Sequence, residues 1–162
     1  MRIALFTTGG TIDKIYFDAL SEFTIGEPQA EQLLLQAGVD VEFTQTALLR
    51  KDSLELTDQD RLLIAQSVSE APEEHIIVTH GTDTMVETGH ALKEITNKTI
   101  VLAGAMQPAA MRESDAAFNL GFAVAAVQLA SAGVYIAMNG QLFDVEQVRK
   151  DRDTMRFVAT GT

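Results

Sequence analysis

Ile3-Ala4-Leu5-Phe6-Thr7-Thr8-Gly9-Gly10-Thr11 and His75-Ile76-Ile77-Val78-Thr79-His80-Gly81-Thr82-Asp83-Thr84-Met85 share one form: a short apolar run that closes on glycine set beside threonine. Apolar runs of this length, bounded by turn residues, read as buried strands. Glycine at their carboxyl ends lets the backbone turn sharply and lie close to a neighbouring group. In open α/β sheets, ligands occupy the crevice outside the carboxyl ends of the strands. Two threonine–glycine turns at two strand ends therefore predict one shared pocket lined with hydroxyls.

Outward from these runs, strand and helix alternate. Thr11 to Gly26 has no clean period and mixes Asp, Lys, Tyr, Phe and Ser, which reads as a long loop. Pro28 stands near a helix start, and Ala30 to Ala37 reads as a helix stopped by Gly38. Val39 to Ala47 alternates apolar and polar residues, the mark of a half-exposed strand. Thr57 followed by Asp58 and Asp60 reads as an N-cap, with Leu62, Leu63, Ala65 and Val68 on one apolar face. Met85 to Glu94 is expected to be helical, Thr99 to Ala103 a strand, and Ser114 the start of a helix with a long apolar face from Ala117 to Leu129. Gly133 to Met138 reads as a further strand, with Gln141 to Val145 able to pair beside it. Strands alternating with helices of about three turns imply βαβ units. The expected fold is a single three-layer, flavodoxin-like α/β domain, a mostly parallel sheet with helices on both faces.

Composition narrows the function. A chain of 162 residues suits one domain with a proper core. Its net charge of −11 argues against a nucleic-acid partner, which needs clustered Lys and Arg. The lack of cysteine excludes disulfides, cysteine-ligated zinc and thiol catalysis. The apolar run at Met1 to Phe6 is too brief for a signal-peptide core or a membrane span, so no membrane partner and a cytoplasmic location are expected. His80 and His90 are too far apart for a helical metal pair, so no metal is expected, and His80 reads as a structural hydrogen-bonding residue.

Within the two turns, Thr11 is the candidate nucleophile, because the Gly9-Gly10 pair allows its hydroxyl to be presented to a bound carbonyl. The plainer reading is that Thr8 and Thr11 only satisfy backbone groups of the turn. Thr82 adds a second hydroxyl, and Asp83 a carboxylate able to receive an ammonium group or orient a lysine. Either of them alternatively caps the following helix. Lys150, in Val148-Arg149-Lys150-Asp151, stands after the last strand pair, where it is either a pocket residue or a surface lysine. Met106 and Met111 read as packing or interface residues.

Thr8-Gly9-Gly10-Thr11-Ile12 and His80-Gly81-Thr82-Asp83-Thr84-Met85 resemble the two signature motifs of the bacterial-type L-asparaginases. Gly104-Ala105-Met106-Gln107-Pro108, with Ser114-Asp115 and Phe118-Asn119-Leu120, is similar to a third stretch of that family. The resemblance implies a two-step amidohydrolase that needs no cofactor. Thr11 would attack the side-chain amide of L-asparagine, release ammonia and leave an acyl-enzyme that water resolves to L-aspartate. L-Glutamine would be a slower substrate. Thr82, Lys150 and Asp83 would form a hydrogen-bonded set, with Lys150 as proton acceptor. Asp52 and Ser53 stand where family members grip the α-carboxylate and α-amino groups, and Gly10 and Gly81 would bring backbone close to the substrate. Without the resemblance, Lys51-Asp52-Ser53 reads as an ordinary polar turn.

The chain departs from the family in two places. The family's loop tyrosine corresponds to Phe23 in Phe23-Thr24-Ile25-Gly26, which leaves Tyr16 as the nearby candidate to activate Thr11. Typical members are also about twice as long and carry a second, smaller C-terminal domain, which would begin where this chain ends at Thr162. Residues 1–162 are accordingly expected to form the N-terminal-type domain alone. Surface normally covered by that domain would favour a homo-oligomer, a dimer or tetramer. Two other functions are consistent with the turns: a non-catalytic asparagine or aspartate sensor on the same fold, and a flavodoxin-like phosphate binder. The second is disfavoured by Phe6 at the first loop position and by the lack of tryptophan.

Overall fold

The structure, a computed structural model, describes residues 1–19 and 21–161. Five parallel strands form its centre: β1 (Arg2–Gly9), β4 (Glu42–Lys51), β5 (His75–Thr79), β6 (Thr99–Ala103) and β7 (Gly133–Met138). The numbering leaves room for a hairpin, β2 (Lys14–Phe17) and β3 (Glu22–Ile25), between the first two. A sixth strand, β8 (Gln141–Asp144), pairs antiparallel with β7 at the edge, as its sequence suggests. The sheet order β4-β1-β5-β6-β7-β8 is the flavodoxin-like arrangement with one added edge strand.

Helices cover both faces. On one side α1 (Ala30–Gln36) and α4 (Ala116–Leu129) bury Ala30, Leu34, Leu120, Ala123 and Val127 against Ile3, Leu5, Ile77 and Val101. On the other, α2 (Asp58–Glu70) and α3 (Met85–Leu92) set Ile64, Val68, Met85 and Leu92 against Ala4, Phe6, Ile76 and Val78. Successive strand residues point to opposite faces. The central strands are apolar throughout because both of their faces are covered. A second hairpin, β9 (Val148–Asp151) with β10 (Arg156–Ala159), packs Val148 and Phe157 into the α2–α3 side.

Several expectations need correction. Thr11 to Gly26 is not a long loop. A short 3-10 turn, Thr11–Asp13, leads into the β2–β3 hairpin, in which Lys14 faces Ile25 and Tyr16 faces Phe23. Leu20, within that stretch, lies outside the described residues, as does Thr162. Strand β4 begins at Glu42 and runs on to Lys51, because Gly9 at the end of β1 leaves space for its last residue. Thr57 is the expected N-cap of α2, and forms a capping box with Asp60, but the helix buries Ile64 and Val68 and leaves Leu62 and Leu63 exposed.

Candidate active site

Three turns meet at the carboxyl ends of β4, β1 and β5, and glycine is what allows them to touch. Gly10 (φ +86) follows β1, and its N–H donates to Lys51 C=O at 2.9 Å. A Cβ there would collide with the backbone of Gly81. Gly81 in turn lies against Ser53: a Cβ on it would stand 2.6 Å from both Cβ and Oγ of that serine. Thr84 adds a tie by donating its hydroxyl to Ser53 C=O at 2.7 Å. Gly10, Ser53 and Gly81 are thus brought together from strands that are neighbours in the sheet. β1 and β5 flank the point where the strand order reverses, which is where sheets of this kind open a crevice.

Around that meeting point Lys150 reaches in from β9. Its ammonium donates to Thr82 Oγ1 at 2.8 Å and to Asp83 Oδ1 at 2.7 Å. The lysine side chain is 7% exposed, while Asp83 is 36% exposed, so the ion pair has one buried and one solvent-facing partner. Neither Thr82 nor Asp83 caps α3; the N-cap is Thr84, without a side-chain cap bond. The side chains that a helix cap would use are turned to Lys150 instead. The Thr82 hydroxyl, having accepted from Lys150, directs its own proton to Met106 Sδ at 3.7 Å. Among the described residues, Thr82 N–H donates to no protein acceptor.

The third stretch supports this arrangement from behind. The Asp115 carboxylate accepts from Met106 N–H and Gln107 N–H at 3.0 Å and from Asn119 Nδ2 at 2.8 Å. Buried Asn119 also donates to Gly104 C=O at 3.0 Å. This network fixes the turn that carries Met106, which therefore touches the site and is more than a packing residue. His80 has the structural role expected of it. Fully buried, it donates from Nδ1 to Gly81 C=O at 2.7 Å and accepts the Thr88 hydroxyl at Nε2, also at 2.7 Å. Burial pushes its pKa down from 6.5 to about 4, with the charge of Arg61 acting in the same direction and the Gly81 bond opposing, so the ring is neutral.

Thr11 opens the 3-10 turn and is half-buried. Among the described residues no hydrogen bond joins it to Thr82, Lys150 or Tyr16. Tyr16 lies on β2, 54% exposed, with its ring edge-on to Phe23 at 5.6 Å. That contact follows from the hairpin register. Thr8 takes the plainer role, donating to Thr79 C=O at 2.9 Å. Asp52 is already engaged: Oδ1 accepts Leu54 N–H at 3.2 Å and Oδ2 pairs with Lys14 Nζ at 2.7 Å. Partial burial works to raise its pKa, but the bonds from Lys14 and Leu54 and the charges of Lys14 and Lys150 hold it below 3.8. Neither Lys14 nor Asp13 carries a motif or spacing that marks it in the sequence. Their positions follow only from the hairpin.

Residues 2–159 match the family model described as Asparaginase, N-terminal. The chain belongs to the asparaginase family. It is 32% identical over 167 residues to L-asparaginase 2 of Escherichia coli (strain K12), a match covering 94% of this chain and 47% of that protein. It is 30% identical over 173 residues to the glutaminase-asparaginase of Acinetobacter glutaminasificans, covering 92% of this chain and 49% of the relative. The solved thermostable L-asparaginase from Thermococcus kodakarensis superposes with a TM-score of 0.84 at 26% identity, over 98% of this chain and 51% of that one. This asparaginase-family chain spans about half the length of the curated relatives it matches.

Proposed function

We propose that this chain hydrolyses L-asparagine to L-aspartate and ammonia, with L-glutamine as a slower substrate. The observation that carries the reading is the Thr82–Lys150–Asp83 set, at 2.8 and 2.7 Å, beside the turn that Thr11 opens. The Thr11 hydroxyl oxygen adds to the side-chain amide carbon, and the tetrahedral adduct expels ammonia to leave an ester on Thr11. Water then adds to the ester carbonyl and releases aspartate, restoring the hydroxyl. A threonine hydroxyl is a weak nucleophile and needs a positioned base, which contributes about 10²–10⁴-fold. Lys150 takes that role through Thr82: the Thr11 proton passes to the Thr82 hydroxyl as that hydroxyl gives its own to an unprotonated Nζ, and the proton is then returned to the departing ammonia. The Thr82 N–H, without a protein acceptor among the described residues, suits an oxyanion donor, for which about 10²–10³-fold is usual.

Substrate holding falls to Ser53 at the α-carboxylate and to Asp83, the more exposed partner of Lys150, at the α-ammonium. Gly10 and Gly81 allow the backbone to approach. Tyr16 would assist Thr11 only if the hairpin repositions it, and the reaction needs no cofactor. No helix among the described residues is long and apolar enough to cross a membrane. A cytoplasmic location and self-association into a dimer or tetramer complete the proposal. Self-association is supported by exposed Phe118 and Leu129, about three turns apart on α4.

Calorimetric titration with L-asparagine, run beside an ammonia assay, separates hydrolysis from sensing. Turnover is expected in the natural chain. Lys150→Met should lower kcat by roughly 10²–10⁴-fold, and Thr82→Ala should abolish ammonia release with the fold intact. Binding heat without ammonia at any substrate concentration would favour the sensor.

A further inference from the structure

Among the described residues, the β2–β3 hairpin forms a sheet of its own and shares no strand pairing with the six-stranded sheet. Its apolar side chains do not fasten it either, since Ile15, Tyr16, Phe17 and Phe23 are all exposed. Yet it begins at Lys14, directly after the single 3-10 turn that Thr11 opens. Whatever holds Lys14 therefore limits where Thr11 stands. At the hairpin's root, Gly26 N–H donates to Asp13 C=O at 2.7 Å and Gln29 N–H donates to the Asp13 carboxylate at 2.9 Å. These bonds close the hairpin on itself and on the start of α1. The link to the site is a different one: the Lys14–Asp52 ion pair at 2.7 Å, with both side chains only about a quarter to a third exposed.

Asp52 is the N-cap of the 3-10 turn Ser53–Glu55, and that turn lies against Gly81. Each of its carboxylate oxygens already has a protein partner. A carboxylate so placed has little left to offer a substrate ammonium. It is, however, well placed to join the two turns that must stay in register for Thr11 and Thr82 to face one ligand. We propose that Asp52 is a positioning residue, which with Lys14 forms a clasp fixing the Thr11 turn to the Ser53 turn, and that it does not contact the substrate's charged groups. A misplacement of about 1 Å between reacting groups is enough to lower a rate about 10²-fold, so a clasp of this kind acts on kcat. A residue that grips the substrate equally in ground and transition states acts on KM instead.

The kinetic part of the test rests on the hydrolase reading above, whereas amide hydrogen exchange on the unliganded protein does not. Lys14→Met, Asp52→Asn and the double variant are compared with Lys14→Arg, which keeps the charge. Asn at position 52 can still accept from Leu54 N–H, so that variant removes the ion pair and spares the cap. The clasp predicts a loss in kcat of about tenfold or more in either single variant with little change in KM. It also predicts a double variant no slower than the slower single one, and Lys14→Arg within about threefold of the natural chain. Amides of residues 14–17 and 22–25 should exchange about tenfold faster in Lys14→Met and Asp52→Asn. A raised KM in Asp52→Asn, with unchanged exchange and a silent Lys14→Met, would overturn the proposal and make Asp52 a substrate ligand. Unchanged exchange in every variant would also overturn it, whatever the activity. Should the natural chain release no ammonia, the hydrolase reading fails while the exchange result still decides the clasp.

Discussion

Asp13 and His80 are both buried, and their proton affinities move in opposite directions. Burial raises the Asp13 carboxyl from 3.8 to about 6, against the Gln29 N–H bond and the charge of Arg50, which pull it down. His80 is lowered from 6.5 to about 4. Between pH 4 and 6 the unfolded chain holds one proton on His80 and none on Asp13, whereas the folded chain holds one on Asp13 and none on His80. The two contributions to the pH dependence of stability therefore cancel across that window, while both lower stability there. Asp13→Asn should expose the histidine's share: stability falls as pH drops from 6.5 toward 4, by about 3 kcal/mol. His80→Gln should expose the other share, with stability falling as pH rises from 4 to 6. Chemical denaturation at pH 4.5 and 7 checks both, and parallel curves for the natural chain and Asp13→Asn would contradict the assignment. At this scale the sequence is partly legible. Thr11, Thr82, Asp83 and Lys150 could be named from it, because glycine turns at strand ends and a family motif mark them. Asp13 and Lys14 could not, since a carboxylate or ammonium acquires its role from burial and partners that no spacing encodes.

Among the elements, the strands of the central sheet are legible because burial on both faces makes them apolar throughout. The β2–β3 hairpin is not legible, for the same physical reason read backwards. It is not built on a buried face, so its residues carry no two-residue alternation, and Tyr16, Phe17 and Phe23 stand exposed among charges. Helix α2 shows a related limit. Its apolar residues Leu62, Leu63 and Ile64 are consecutive, and the sequence does not tell which of them meets the sheet. The close approach of turns is likewise invisible until strands are ordered. Gly81 tests it. Gly81→Ala puts a Cβ 2.6 Å from Ser53 and must displace the serine or the Thr82 turn, so kcat should fall about 10²-fold. Gly38, unlike Gly81, has a positive φ of 68, and it faces open space. Gly38→Ala should lower stability by about 1 kcal/mol and leave turnover unchanged. Equal turnover in the two variants would show that the Gly81–Ser53 contact does not shape the site.

For the whole molecule, the order β4-β1-β5-β6-β7 brings motifs from distant parts of the chain to one edge. Thr11 and Thr82 lie at the ends of adjacent strands on either side of the point where the order reverses. Lys150 completes the set from a hairpin that the sequence alone reads only as a segment near the chain's end. The fold class was legible because alternating strands and helices admit few other arrangements. The reach of Lys150 across to Thr82 was legible only through the family resemblance, because it depends on how β9 and β10 pack Val148 and Phe157 beside α3. The central claim is that Thr11 is the nucleophile of an L-asparagine amidohydrolase. Its most direct test is the rate of ammonia release from L-asparagine by the natural chain and by Thr11→Ala, with circular dichroism confirming an unchanged fold. The account predicts turnover in the first and none above background in the second. Turnover by Thr11→Ala near the natural rate would contradict it.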